Sequence, residues 1–166
     1  MLFKDCEVTF EKLSITKINE AAELIQKTYE ADGIWSHYSA ADACEELMAS
    51  FSNLIYRPIF FLAIHEGKII GLASYMWSHC STNVFELTFG TVHPDFQRKG
   101  IGQHLTYLRL KEIVDDNADA LIITVARRPK LFEKFNFKSV CKIQNELVDS
   151  DFMVCKSVDV NFDTLN

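Results

Sequence analysis

Apolar positions in the first third of the chain have helical spacing. A short apolar segment at residues 8–13 predicts an opening strand, and residues 18–29 then carry apolar side chains three and four positions apart, which is typical of a helix with one buried face. Thr16 is the expected N-cap of this helix and Gly33 its expected end. Ser39 is expected to cap a second helix. The apolar stripe of that second helix would comprise Cys44, Leu47, Met48 and Phe51.

The spacing changes after Pro58, where apolar residues become nearly continuous. Residues 59–64 and 69–77 predict two buried strands, joined by a tight glycine-containing turn at residues 65–68. Residues 84–92 predict a third strand. These three strands would form an antiparallel meander.

The next segment predicts a crossover between parallel strands. A helix is expected from about residue 100 to residue 116, with Ile101, Leu105, Leu108 and Glu112 in register on one face. The short apolar run at residues 121–125 is expected to be the following strand. A strand, a helix and a strand in succession indicate a right-handed crossover.

The last part of the chain completes a mixed sheet. Residues 129–135 predict a short helix with proline in its first turn, which Asn136 can end by adopting the left-handed conformation. Residues 137–143 and 151–158 predict the two final strands. The order β-α-α-β-β-β-α-β-α-β-β belongs to the α/β (α+β) class. No repeat or Pro/Gly-rich linker interrupts it, so residues 1–166 are expected to form a single domain.

The composition narrows the classes of function. Hydrophobic residues make up 48% of the 166 residues and charged residues 24%, as in ordinary globular domains. The net charge of −6 argues against sequence-independent nucleic-acid binding. No apolar run approaches the ~20 residues of a membrane span, and no signal-peptide pattern begins the chain. We therefore expect a cytoplasmic protein that binds neither nucleic acid nor membrane.

The cysteines give no sign of a metal site. They are widely spaced and include no CxxC pair, which is typical of reduced thiols rather than of a disulfide framework or a zinc site. We expect no metal in the functional site.

The segment between the third strand and the following helix carries candidate chemistry. Gly100 and Gly102 let a ligand approach the backbone closely, and the first N–H groups of a helix attract anions because they have no internal partners. Arg98 and Lys99 add positive charge beside the same turn. The pattern predicts a phosphate or pyrophosphate site. It lacks the GK[ST] of a P-loop and the GxGxxG of a dinucleotide-binding turn.

Two motifs carry a family resemblance. Residues 87–102, LTFGTVHPDFQRKGIG, resemble the central motif of the GNAT acetyltransferase superfamily, in which an apolar strand ends in Val-x-Pro and [Gln/Arg]-x-x-Gly-x-[Gly/Ala] opens a helix. Residues 131–137, LFEKFNF, resemble the family's Leu-Tyr-Glu-Lys-x-Gly-Phe helix end. The resemblance covers residues 60–140. It implies a GNAT-like mixed sheet of about seven strands, antiparallel except for a splayed parallel pair, flanked by about four helices.

The resemblance implies that acetyl-CoA is the donor and that a primary amine of a small molecule, amino acid or protein is the acceptor. In this family the pantetheine arm lies in the gap between two splayed strands, here residues 89–92 and 121–125. Gly90 would either permit a bulge there or pack in the core. The residues expected to bind the donor are Thr91, Val92, Gln97, Arg98, Lys99, Gly100, Ile101, Gly102 and Phe132. The chain is also compatible with a homodimer.

Glu86 is the candidate general base. Amide formation needs a neutral amine, so a base must take a proton directly or through water. Glu86 interrupts an apolar strand at the position of a glutamate that serves as base in many family members. Strand alternation is equally consistent with a solvent-facing residue. The weaker candidates are His79, His93 and Asp95.

Phe132 departs from the family pattern, because many relatives use a tyrosine there to protonate the departing CoA thiolate. A thiol with a pKa of ~8.5 is a fair leaving group, so the departure is compatible with activity, assisted by Tyr107 or water. It is also compatible with a domain that binds acyl-CoA without turnover. A further departure is the pair Arg127-Arg128, which is either a solvated turn or a contact for a phosphate or an acidic acceptor.

The acceptor region of the family corresponds to the first two helices and a strand connection of this chain. Its aromatic residues either line an apolar pocket or belong to the core, and they do not identify a substrate. They are Trp35, His37, Tyr38, Trp77 and His79.

Overall fold

The computed structural model describes residues 2–3, 6–31, 33, 38–52, 55–144 and 149–165. Trp35 and His37 lie outside the described residues. The strands are β1 (Leu2–Phe3), β2 (Cys6–Glu7), β3 (Thr9–Lys12), β4 (Ile59–His65), β5 (Lys68–Trp77), β6 (Val84–Val92), β7 (Leu121–Ala126), β8 (Lys138–Ile143) and β9 (Ser150–Lys156). The helices are α1 (Ile18–Ala31), α2 (Ala40–Met48), α3 (Ile101–Asp116) and α4 (Pro129–Glu133).

Seven of the strands form one mixed sheet in the order β3-β4-β5-β6-β7-β9-β8. Neighbouring strands are antiparallel except β6 and β7, which are parallel and are connected through α3. The predicted mixed sheet with one parallel crossover is therefore confirmed. The hairpin of β1 and β2 was not predicted, because each of its strands has only two residues.

The two faces of the sheet bury two separate clusters. Along β4, Phe60 and Leu62 pack with α1 and α2, whereas Phe61 and Ala63 pack in the cluster that includes α3. The continuous apolar sequence of this strand follows from this arrangement, since both of its faces are covered.

The predicted caps and turns are mostly present. Ser39 forms a capping box with Asp42 at the start of α2. Gly33 lies just beyond α1 with φ of 65°, and Asn136 follows α4 with φ of 69°. The predicted cap Thr16 is wrong, because a 3₁₀ turn over Ile15–Lys17 precedes α1. The short helix is also shorter than predicted and ends at Glu133.

The predicted stripe of the second helix is partly wrong. Leu47 is buried, as predicted, but Met48 is 47% exposed and Phe51 is 41% exposed. Met48 is the last residue of the α-helix and lies about 100° around it from the buried Leu47. The following 3₁₀ turn changes the angular spacing of side chains to about 120°, which displaces Phe51 from the stripe. The buried face therefore centres on Ala43 and Leu47.

The buried face of α3 also differs from the prediction. Ile101 and Leu105 are buried as expected, but the next buried position in the series is Arg109, not Leu108. Glu112 lies at the edge of the face, where it accepts a hydrogen bond of 3.0 Å from the hydroxyl of Tyr75.

No helix in the described part of the chain combines the length and the apolar character needed to cross a membrane. Among the described residues, no group of three or more His, Cys, Asp or Glu side chains is arranged to hold a metal ion. All five cysteines are free thiols.

Candidate active site

The parallel strands β6 and β7 are paired over only part of their length. Their register ends where Leu87 lies opposite Thr124, although β6 continues to Val92 and β7 to Ala126. Beyond the last pair the strands part and leave a gap in the sheet. The predicted splay between these two strands is present, and residues 89–92 of β6 lie beyond the last pair as expected. The predicted edge on β7, residues 121–125, is mostly wrong, because Leu121–Thr124 pair with Val84–Leu87 and only the end of β7 parts from β6.

A β-bulge lies in β6 beside this gap. Ser74 of β5 pairs with Thr88, but Leu72 pairs with Thr91, so β6 contains one extra residue between these pairs. The hydroxyls of Ser74 and Thr88 also lie 2.5 Å apart.

Phe89, not Gly90, adopts the unusual backbone conformation of the bulge, with φ of 49°. A Cβ atom at Gly90 would have no heavy atom within 4 Å, and the residue is exposed. A bulge is therefore present next to Gly90, as one of the two expectations for this residue required. The other expectation, that Gly90 packs in the core, is wrong. A phenylalanine in the left-handed region is strained, and such strain persists only where surrounding contacts hold it.

A cavity of about 270 Å³ occupies the gap and crosses the sheet. Its walls include Thr28 and Tyr29 of α1 and also Thr106 and Arg109 of α3. Because these helices pack on opposite faces of the sheet, the cavity joins the α1 face to the α3 face. We call it the gap cavity.

A second cavity of about 450 Å³ lies at the start of α3, and we call it the turn cavity. It contains Gly100 with φ of 98°, which is the N-cap of α3 and makes no side-chain cap. The first N–H groups of α3 are therefore available to an anion. Four cationic side chains line this cavity: Arg98, Lys99, Arg128 and Lys134.

The two cavities are adjacent and share part of their walls. The shared residues are Val92, Gln97, Gly102, Arg128 and Leu131. The side chain of Gln97 donates a hydrogen bond of 3.1 Å to the carbonyl of Val92, which ties the turn to the end of β6. A cationic cavity that adjoins a gap of mixed apolar and polar lining fits a ligand with phosphates at one end and a long, thin arm at the other.

The structure brings together all but one of the predicted donor-binding residues. Thr91 and Phe132 line the gap cavity, Arg98, Lys99 and Gly100 line the turn cavity, and Val92, Gln97 and Gly102 line both. Ile101 is buried beneath the turn, so only its backbone could face a ligand.

Glu86 lies on β6 and is half-buried. Its neighbours Phe85 and Leu87 belong to the cluster on the α3 face, so alternation along the strand points Glu86 and Thr88 toward the α1 face. Thr88 lines the gap cavity, whereas Glu86, two residues earlier, does not. Glu86 is thus on the α1 face, just outside the cavity wall.

The weaker base candidates line neither cavity. The imidazole Nδ1 of His93 is 3.7 Å from the carboxylate of Asp95, and His79 packs against the ring of Tyr56 at 4.3 Å. Tyr107, the alternative proton donor, packs against His104 and lines neither cavity.

Phe132 lines the gap cavity and contacts Phe137 edge to face, with ring centroids 5.7 Å apart. The only phenol in the described wall of this cavity is that of Tyr29, which the sequence did not single out. Burial raises the pKa of Tyr29 to about 12, so this phenol keeps its proton at neutral pH. Tyr38 packs on Tyr29, whereas Trp77 packs on Phe85 in the α3-face core and does not line the cavity.

The consecutive arginines diverge. Arg128 lines both cavities, and its Nη2 lies 3.4 Å from Oε1 of Gln97. Arg127 lines only the gap cavity and lowers the pKa of Tyr29 by its charge, which places it near α1. The sequence indicated that these two arginines are of interest but did not distinguish their positions, and it gave no role to Lys134 or Arg109. Lys134 lies within a recognised motif, so its position beside the turn could have been suspected.

Comparisons with known proteins agree with this geometry. A family model described as "Acetyltransferase (GNAT) domain" matches residues 57–139. A sequence search of curated proteins found no match.

Solved structures with a similar fold include three acetyltransferases, of which two are named as N-acetyltransferases. The PaiA N-acetyltransferase from Thermoplasma acidophilum, in complex with coenzyme A, is 21% identical, with a TM-score of 0.68 over 90% of this chain and 99% of that one. The ribosomal-protein-S18-alanine N-acetyltransferase from Escherichia coli is 20% identical, with a TM-score of 0.68 over 90% of this chain and 94% of that one. The aminoglycoside 6′-acetyltransferase type Ii is 16% identical, with a TM-score of 0.69 over 90% of this chain and 97% of that one.

The mixed sheet with one parted parallel pair, the glycine turn at the start of α3 and the family match over half of the sequence lead to one conclusion: this chain belongs to the GNAT acetyltransferase family.

Proposed function

We propose that the protein transfers the acetyl group of acetyl-CoA to a primary amine of a small molecule, an amino acid or a protein. The observation that carries this proposal is the adjacency of the turn cavity and the gap cavity, which share five wall residues. The turn cavity suits the phosphates of the donor, and the gap suits its pantetheine arm. The acetyl group would then reach the α1 face of the sheet, where an acceptor can approach it.

The donor phosphates would be bound mainly by backbone N–H groups at the start of α3. Gly100 and Gly102 permit close approach, and the N-terminal end of the helix favours negative charge. Arg98, Lys99 and Arg128 would add charge-assisted hydrogen bonds.

The reaction forms one bond and breaks another. The amine nitrogen attacks the thioester carbonyl carbon, a C–N bond forms and the C–S bond breaks. The amine gives up a proton, and the sulfur leaves as the CoA thiolate, which is protonated to the free thiol. The chain must therefore accept one proton near the amine and tolerate negative charge near the sulfur.

Glu86 is the proposed base. It points toward the α1 face, the side from which the acceptor would approach, and it has no hydrogen bond or ion pair among the described residues that would occupy its carboxylate. Because it lies just outside the cavity wall, we propose that a water molecule carries the proton to it.

The departing sulfur would meet Phe132 rather than a phenol, so the thiolate would leave without a side-chain acid at that position. A thiol pKa of ~8.5 makes this departure feasible at neutral pH.

The names of the similar structures support an amine acceptor without identifying it. One of those proteins is named as an N-acetyltransferase of an alanine of a ribosomal protein, and another is named as an acetyltransferase of aminoglycosides. At 16–20% identity these likenesses establish the fold alone.

Phe132 favours a second candidate function, an acyl-CoA-binding domain with little or no turnover. Such a domain would need the same turn and gap but no proton transfer. Binding with no chemistry would distinguish it from the enzyme.

The deciding experiment measures thiol release from acetyl-CoA over a panel of amines, which includes polyamines, amino acids, aminoglycosides and peptides with free N-termini. Glu86→Gln serves as the control for enzyme-dependent release. Amine-dependent release that Glu86→Gln lowers supports the transferase. Tight CoA binding with no release for any amine supports the binding domain, and absence of CoA binding overturns both.

The domain organisation, the location and the oligomeric state are also proposals. We propose a single domain over residues 1–166, a cytoplasmic location and a homodimer. Limited proteolysis, cell fractionation and light scattering test these three proposals.

A further inference from the structure

Arg109 is buried in α3 at the floor of the gap cavity. Only 2% of its surface is exposed, and no carboxylate lies within ion-pair distance among the described residues. Desolvation by burial lowers its pKa to about 9, so the guanidinium stays charged at neutral pH. Burying a charge without a counter-ion destabilises the fold, and an apolar side chain of similar volume would avoid that cost.

The guanidinium holds the two strands together at the bulge. Nη1 donates to the carbonyl of Ser74 at 3.0 Å and to the carbonyl of Thr88 at 3.1 Å. These residues form the last regular pair of β5 and β6 before the extra residue of the bulge. Arg109 therefore fixes the point at which β6 turns out of register, immediately before the strained Phe89.

The same side chain is tied to the glycine turn. Nη2 donates to the hydroxyl of Thr106 at 3.0 Å, and that hydroxyl donates to the carbonyl of Gly102 at 2.9 Å. An unbroken hydrogen-bonded path thus runs from Gly102, through Thr106 and Arg109, to Thr88. Its two ends are the phosphate-binding turn and the strand edge beside the gap.

We propose that Arg109 is a positioning residue, which sets the separation between the glycine turn and the bulge of β6 so that the pantetheine arm spans the gap and presents the acetyl group at its far end. This inference rests on the proposed function. It gives a reason why an unpaired cation is buried here: the cation holds two parts of one donor site at a fixed separation.

A planar fork is required for this role. Two nitrogens of one rigid guanidinium donate to three acceptors. The single Nζ of a lysine cannot reach all three acceptors in the same geometry. An apolar replacement would leave the Thr88 carbonyl without this donor and would remove the link to Thr106.

The test separates the two halves of the donor. Titration calorimetry measures the affinities of the whole chain for CoA and for 3′-phospho-ADP, the nucleotide part that lacks the pantetheine arm. Their ratio reports the contribution of the arm. The variants are Arg109→Met and Arg109→Lys, and the matched control is Lys111→Met, which removes an exposed cation from the same helix.

We expect Arg109→Met to leave the affinity for 3′-phospho-ADP within about twofold, to lower the CoA to 3′-phospho-ADP ratio about tenfold and to lower kcat/KM about 10²-fold, since misplacement of a bound group by 1 Å has effects of that size. Arg109→Lys should fold, because it keeps the cation and most of the stem, and should lower the ratio less than Arg109→Met. Lys111→Met should match the wild type. If Arg109→Met does not fold, the ratio in Arg109→Lys decides the question.

An unchanged ratio in folded Arg109 variants, with acetyl transfer by the wild type intact, overturns the inference and leaves the proposed function standing. A wild-type protein that binds neither ligand overturns the proposed function, and the inference with it. Loss of affinity for both ligands in equal proportion shows that Arg109 supports the fold alone and also overturns the inference.

Discussion

The side-chain hydroxyl of Thr124 donates a hydrogen bond of 3.1 Å to the backbone carbonyl of Leu87, its partner in the last pair that joins β6 to β7. The hydroxyl therefore occupies a backbone acceptor at the point where the strands begin to part. On the N-terminal side of this pair the two strands are hydrogen-bonded to each other, and on its C-terminal side the gap cavity begins. The position of the gap is thus set by a specific contact between a side chain and a backbone carbonyl.

Gly102→Glu should weaken CoA binding by about tenfold or more, which corresponds to about 1.4 kcal/mol of lost interaction. The new carboxylate would lie at the site proposed for the phosphates. A Cβ at Gly102 would be 3.6 Å from Val92, an ordinary contact, and a carboxylate in the first turn favours the helix. Titration calorimetry and urea unfolding should therefore show weaker binding at unchanged stability.

Gly102→Ala is the matched control and should bind CoA nearly as well as the wild type. Gly100 is a poorer test site, because its φ of 98° strains any side chain and a Cβ there would lie 3.4 Å from Phe3. If Gly102→Glu binds CoA as tightly as the wild type, the phosphates do not lie at this turn.

Glu86→Gln should lower kcat/KM for the acceptor by about 10²–10⁴-fold, the range that a general base supplies. The amide keeps the shape of the side chain, so donor affinity and folding should be retained. The rising limb of the pH profile should also move toward the pKa of the free amine, because only acceptor that is already neutral could react. A variant with the rate and pH profile of the wild type would show that the base lies elsewhere.

Phe132→Tyr should keep kcat or raise it by up to about 10²-fold, the lower end of what a positioned acid contributes. The added hydroxyl would face the gap cavity. Phe132→Ala should instead lower the free energy of unfolding. Truncation of a fully buried phenylalanine costs ~3–5 kcal/mol, and we expect about half of that here because this ring is only half-buried against Phe137. Steady-state kinetics with thermal unfolding checks both, and a large loss of kcat in a stable Phe132→Tyr variant would contradict the assignment.

Arg128→Gln and Arg127→Gln should separate the two substrates. Arg128 lines the turn cavity, so its loss should raise KM for acetyl-CoA about fivefold, as expected for ~1 kcal/mol from one exposed ionic contact. Arg127 lies near Tyr29, so its loss should change KM for the acceptor and leave that for the donor as in the wild type. Equal effects of the two substitutions on the donor would contradict the divergence of these side chains.

His104 should make stability depend on pH. Burial lowers its pKa from the ordinary value of 6.5, so the unfolded chain binds more protons than the folded chain in mildly acidic solution. The stabilisation is present above about pH 6.5 and is lost as pH falls toward the lower folded value. Urea unfolding at pH 7.5 and 5.5 should show a larger loss for the wild type than for His104→Phe, which keeps the contacts with Phe3 and Phe10. Equal losses would contradict a pKa of His104 that is lowered in the folded protein.

The sequence predicted those parts of the site that are local in the chain. The turn from Gln97 to Gly102 lies between a strand and a helix, and its glycines and cations fall within a few residues of one another. The left-handed Asn136 likewise depends on short-range chemistry.

Other parts depend on tertiary contacts. Arg109 occupies a buried position of α3, but periodicity counts arginine as polar, so the stripe was assigned to Leu108. Arg128 and Lys134 approach the turn from segments about thirty residues away along the chain. Phe89 took the conformation expected for glycine because the register on both sides of it is fixed by paired residues.

A cavity that crosses the sheet also constrains the design of inhibitors. In the proposed arrangement, a molecule that joins CoA to an amine acceptor through its sulfur would have one bulky end on each face of the sheet. Because β6 and β7 do not pair again beyond Leu87 and Thr124, the strands would not enclose the linker between the two ends. The part of the linker nearest Leu87 and Thr124 would have to be narrow, since this is where the gap closes. Such a compound would contact both faces of the sheet at once, so it should dissociate more slowly than acetyl-CoA.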